Sequence, residues 1–181
     1  MKKSSAAFCT LALAVLLSAC SPALDWRDYR SPDAPFTALF PGKPSVLTRE
    51  INLDGQKVQL TMTASEAEGN TFAIGTAVMA NAALAQAALP AMQAALLRNI
   101  NGQVSKETAS SASNISATGS HRHTSVEMVA TGSRNGQPVQ LSARFVARDT
   151  RIFQIVIMGD ASKLSRENID TFMDGVKLES K

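Results

Sequence analysis

The only two histidines of the chain, His121 and His123, flank Arg122. On a strand, alternate residues share a face about 7 Å apart, a spacing that can bring two imidazoles to one metal. Zinc takes three or four ligands from a protein, so the pair needs company. Glu127 has the right parity but lies about 13 Å from His123 and about 20 Å from His121 along an extended chain. The strand expected alongside sets Arg148 opposite His123, a cation where a ligand is required. The histidines therefore read as the polar, solvent-facing end of a strand, and no metal site is expected.

Other chemistry is weaker still. A serine nucleophile needs a base and a group to orient it, and no Gly-x-Ser-x-Gly elbow occurs. Phosphate loops and dinucleotide fingerprints are absent from the sequence. Glu66 and Glu68 share strand parity, as a carboxylate pair would, but they flank a Gly69-Asn70 turn and read as solubilising. We identify no catalytic, cofactor-binding or metal-binding residue, and no cofactor is implied.

The two cysteines carry the clearest signal. Lys2 and Lys3 precede an apolar run from Ala6 to Leu17, closed by Leu17-Ser18-Ala19-Cys20. A run of about a dozen residues is too short for a membrane span, which needs roughly 20. The three parts form a secretory signal, and an ordinary cleaved signal is the plainer alternative. Leu-Ser-Ala-Cys resembles the lipobox of bacterial lipoproteins. That resemblance implies a signal peptide over 1–19, diacylglycerol and a further acyl group (palmitate-type chains) on Cys20, and anchoring to membrane lipid facing the periplasm. Ser21 after the cysteine implies the outer rather than the inner membrane. Two or three acyl chains hold a protein on a bilayer where one does not. Cys9 departs with the signal, so the mature domain has no thiol to pair.

Processing also changes the charge. The precursor carries +3, but loss of Lys2 and Lys3 leaves sixteen Lys and Arg against fifteen Asp and Glu. A net +1 with no basic run cannot drive counterion-release binding, so nucleic acid is excluded as a partner. One Trp, one Tyr and six Phe remain after processing, too few for recognition by stacking.

Residues 20–35 read as a lipidated tether, with Pro22, Pro32 and Pro35 opposing a helix. Trp26 and Tyr29 lie in it, either packing on the domain edge or meeting a partner or the membrane interface. A single domain is expected over 36–181. Asp54-Gly55 and Asn135-Gly136 are two-residue hairpin signals. The first pairs Ile51 with Val58 and Arg49 with Leu60; the second pairs Ala130 with Leu141 and Glu127 with Arg144, and a slip of one residue would invert either. Phe72, Ile74 and Val78 share parity on a strand between them. Residues 82–101 read as a helix capped by Asn81 with a stripe of Leu89, Met92, Leu96 and Ile100, interrupted at Pro90 and favouring a start near Leu89. A strand is expected over 103–108 and a loop over 109–120, with one short strand near Ile115. Ile152 to Met158 is apolar at both parities, as a strand covered on both faces would be. Ser165 caps a last helix ended by Gly175, with Leu164 and Ile169 as its staple, and Val176-Lys177-Leu178 closes with a strand. Two antiparallel meanders with a helix between and a helix after give an α+β fold, an antiparallel sheet with helices packed on both faces.

Phe36 with Phe40-Pro41-Gly42-Lys43-Pro44 resembles the opening of small bacterial exported proteins related to the PsbP/Mog fold. Arg144-Phe145, Phe153-Gln154-Ile155 leading to Gly159, and Phe172 with Val176-Lys177-Leu178 extend the likeness over 36–178. The resemblance implies an α/β/α sandwich used as a non-catalytic module. PsbP supports photosystem II from the lumen and the Mog relative binds a small GTPase, but none of the matched residues carries either function. The expected role is therefore a lipid-anchored accessory or binding module meeting an envelope protein or a small ligand. A periplasmic enzyme of unrecognised type and a purely structural envelope lipoprotein are the alternatives.

Overall fold

The computed structural model describes residues 24–116 and 119–179, with side chains outside 112–122. The signal segment and Cys20 lie outside the described residues. Seven antiparallel strands form the main sheet, in the order β3 (Ser45–Leu53), β4 (Gln56–Ala67), β5 (Asn70–Val78), β9 (Arg151–Gly159), β8 (Gln137–Arg148), β7 (Gly119–Arg134) and β6 (Gln103–Ser116). The two meanders join where β5 pairs with β9, Ile74 opposite Ile155. Both hairpins adopt the expected registers, Ile51 facing Val58 and Glu127 facing Arg144. Asn135 (φ 54°) and Gly136 (φ 75°) both take the left-handed conformation that a tight hairpin turn requires. The turn after β4 falls on Glu68 (φ 52°) and Gly69, one residue earlier than expected, so Glu66 and Glu68 do not share a strand.

One face of the sheet is covered by α1 (Ala82–Asn99), whose start the Asn81 side chain caps by accepting from the Leu84 N–H at 2.9 Å. Ala85, Ala88, Leu89 and Met92 pack on Met128, Leu141, Phe145 and Ile152. The helix begins at Ala82 rather than near Leu89, and Pro90 lies inside it. Pro90 is tolerated because it faces solvent, where the carbonyl left without its N–H partner can bind water.

The opposite face corrects the expected sandwich with helices on both faces. A second sheet, β1 (Trp26–Arg30), β2 (Phe36–Pro41) and β10 (Lys177–Leu178), lies there, with the short α2 (Arg166–Gly175) seated mainly against β2. Ten strands and two helices make the described molecule predominantly β. The physical reason is alternation in β2: Phe36, Ala38 and Phe40 all point inward onto Phe72, Ile74, Phe153, Ile155 and Ile157. β1, within the stretch read as a tether, pairs with β2 from Trp26–Pro41 to Arg30–Thr37. Trp26 meets Phe72 edge-on at 5.8 Å and Tyr29 meets Phe40 likewise at 5.7 Å, so both rings pack on the domain edge. Ser165 caps α2 by accepting from the Asn168 N–H at 3.1 Å.

A further difference concerns 109–120, read as loop. β6 runs through Ser116 and β7 begins at Gly119, with Ala109 opposite Val126. His123 is the last β7 residue paired to β8, so the β6–β7 hairpin continues past its neighbours.

Candidate functional site

Three basic side chains line up at one end of the main sheet. His123 on β7 pairs with Arg148 on β8, and Arg148 with Arg151 on β9. Adjacent strands lie about 4.8 Å apart, and all three residues have the parity that faces the second sheet. The side chains of His121 and Arg122 lie outside the described ones, and among the described residues no three His, Asp or Glu side chains gather as metal ligands. Burial, and then the Arg148 charge, push the His123 pKa below its ordinary value.

That depression fixes a pH dependence. The unfolded chain takes up a proton below about pH 6.5, while the folded chain resists it. The stability contributed by the neutral ring is therefore fully present above that value and lost as pH falls through the lower, folded pKa. His123→Gln is expected to flatten this part of the profile. Denaturant midpoints at pH 7.5 and pH 5.5 check it, and an equal drop in both proteins contradicts it.

The arginines on this face divide by what they hold. Arg144 donates to Glu127 Oε1 at 2.8 Å and to the Met173 carbonyl at 3.0 Å. It ties β7 and β8 to the last turn of α2, where a cation is favoured by the helix dipole. Those two arginine contacts floor a cleft of ≈ 260 Å³ between β6–β8 and α2, where the Arg144 guanidinium is committed to the fold. Arg148 donates to the Leu178 carbonyl at 3.0 Å and so holds β10.

Arg151 differs. It lines a cleft of ≈ 430 Å³ beneath the β1–β2 connection, with Ser31, Phe36, Thr61, Thr63 and Thr76. Its Nη1 donates to Thr76 Oγ1 over a long 3.5 Å. Among the described residues no carboxylate lies within ion-pair distance of it, whereas Arg27, Arg30, Arg144 and Arg166 each have one. The side chain is half-buried, and that burial pushes its pKa down. Thr61 and Thr76 are direct neighbours across β4 and β5, and Thr63 is only 2% exposed. Val78 at the mouth is 53% exposed.

The sequence reading missed this cleft. The signal was present in β9, where Arg151 shares parity with Phe153, Ile155 and Ile157, all buried. A charge at core parity marks either a buried partner or a site. The threonines gave no signal, because β4 and β5 meet the β1–β2 connection only in three dimensions.

The described residues contain no helix long and apolar enough to cross a membrane. No known protein family and no curated protein matches this chain. Among solved structures, PA94, a protein of unknown function from Pseudomonas aeruginosa, is similar over 77% of this chain and 85% of its own, at 14% identity and a TM-score of 0.36. That likeness is too slight to carry an argument.

Proposed function

We propose that this protein is a lipid-anchored, periplasm-facing module of the bacterial outer membrane that binds a partner or small ligand without catalysing a reaction. The observation that carries the reading is the junction between anchor and domain. Leu-Ser-Ala-Cys ends at Cys20, and Leu24 is already core, 6% exposed. Four residue steps span at most about 14 Å, so an acylated Cys20 holds the domain against the bilayer with almost no linker. The Asp25 carbonyl accepts from the Gly42 N–H at 2.8 Å, a contact that supports reading the Pro41–Lys43 end as the membrane side. The Arg151 cleft then opens at the other end of β5, about 23 Å away along the seven residue steps from Thr71 to Val78, toward the periplasm. The motifs that resemble exported PsbP/Mog-type proteins suit such a role by analogy alone.

Mass spectrometry of the protein extracted from membranes tests the anchor. The expected amino-terminal peptide begins at Cys20, with diacylglycerol on sulfur and an acyl chain on nitrogen. Cys20→Ala is expected to move the protein from the detergent phase to the aqueous phase. An unmodified terminus, or a free thiol at Cys20, would refute the reading.

A further inference from the structure

We propose that the cleft around Arg151 binds the carboxylate of a small organic acid with an apolar body. The inference deepens the binding-module reading and rests on it, though not on the lipid anchor.

A guanidinium has five N–H donors in a planar fork that matches a carboxylate in two parallel bonds. Arg151 uses one donor, at 3.5 Å, on Thr76. The remaining N–H donors are available to an anion that enters the cleft. Thr63 and Thr76 line the same cleft and their hydroxyls can donate to the same anion, whereas the Thr61 hydroxyl is shared with Thr48 at 2.9 Å.

The charge balance selects a monoanion. Lys57 lines the cleft but pairs with Glu50 at 3.5 Å, and Asp33 contributes a negative charge to the lining. One available cation facing one acid suits a single negative charge and opposes a phosphate dianion. Size and lining select the rest of the ligand. The ≈ 430 Å³ cleft falls within the range of about 300–1,000 Å³ for small-molecule pockets and far exceeds the needs of an inorganic ion. Phe36 and Val78 supply apolar wall, and the exposed Val78 gains most from being covered.

N-Acetylleucine is a suitable probe, with one carboxylate, an apolar body and no ammonium group. Its amide, N-acetylleucinamide, lacks only the charge. Titrated into the full chain in detergent and into Cys20→Ala in buffer, the acid is expected to shift the NMR signals of the Arg151 side chain and the Thr76 amide saturably. The amide and inorganic phosphate are expected to bind at least about tenfold more weakly, the scale of one charge-assisted bidentate contact. Arg151→Met is expected to lose about the same factor while folding normally, since it removes an uncompensated cation, and Arg151→Lys to recover only part of it. If Arg151→Met does not fold, Thr76→Val and the comparison of acid with amide on the wild type decide. Equal binding of acid and amide, tighter binding of phosphate, no binding of the acid to either form, or wild-type affinity in Arg151→Met each overturns the proposal. Binding that persists when the unaltered chain stays in the aqueous phase supports the cleft and removes the anchor.

Discussion

Gly132→Ala is expected to destabilise the protein by about 3 kcal/mol, the upper part of the range for overpacking a filled site. For a domain of this size that lowers the midpoint of thermal unfolding by roughly 6–12 °C. Gly132 lies in β7 opposite Val139, on the face covered by α1. The chain leaving α1 passes directly over it. A Cβ built there would collide with the Ile100 carbonyl oxygen, and it would stand 2.8 Å from Gly102 Cα and 3.0 Å from Ile100 Cγ1. Two of these are backbone atoms, so no side-chain rotation relieves the clash. The Ile100 carbonyl also accepts from the Ser133 N–H at 2.6 Å, and the Ile100 side chain is 1% exposed. Displacing the connection therefore costs a hydrogen bond as well as burial. The sign makes the test decisive. A glycine that merely occupied a strand would gain about 0.5–1 kcal/mol on replacement by alanine. Guanidinium melts of the variant beside Ser133→Ala, which keeps the backbone donor, separate the two, and an unchanged or raised midpoint refutes the close approach.

Local rules were strong where the structure is local. Asn135-Gly136 and Asp54-Gly55 determine their hairpins because two-residue turns leave one register, and alternation then sorts every side chain to a face. The doubly apolar β9 correctly required cover on both sides. What provides that cover was not legible. β10 joins β2 from well over a hundred residues away, and no short-range pattern records that pairing, while β1 pairs with β2 locally. Charges at Arg27, Asp28 and Arg30, with prolines on both sides, made β1 look like linker, yet a short edge strand tolerates both. β6 was hidden for a related reason. Its residues 103–111 are exposed, and the strand persists because β7 satisfies its backbone. The Pro90 helix was placed too late because proline was weighed without knowing that it faces solvent. The site followed the same division: Arg148 opposite His123 was readable from the turn, whereas the threonine cleft around Arg151 depends on the second sheet.

Phe172→Ala is expected to cost about 3–5 kcal/mol, the typical range for emptying a buried aromatic site. Phe172 is on α2, fully buried, and it joins three layers of the second core. Its ring meets Phe40 of β2 at 5.6 Å and Phe72 of β5 at 5.4 Å, both in edge-to-face geometry. Each such pair contributes about 0.5–1.5 kcal/mol beyond area burial. Removing the ring therefore loosens α2, the small sheet and the main sheet together, and neither sheet can close the space because their strands are paired. The main sheet separates this core from the one beneath α1. A second substitution there, Leu89→Ala, shares no buried partner with Phe172, so the two costs should add to within about 0.5 kcal/mol. Urea denaturation of the two single variants and the double variant measures both quantities. A cost for Phe172→Ala below about 1 kcal/mol, outside the range for a filled aromatic site, would mean that β1, β2 and α2 are not packed on the main sheet. Strong non-additivity would mean that the sheet does not divide the interior into two independent cores.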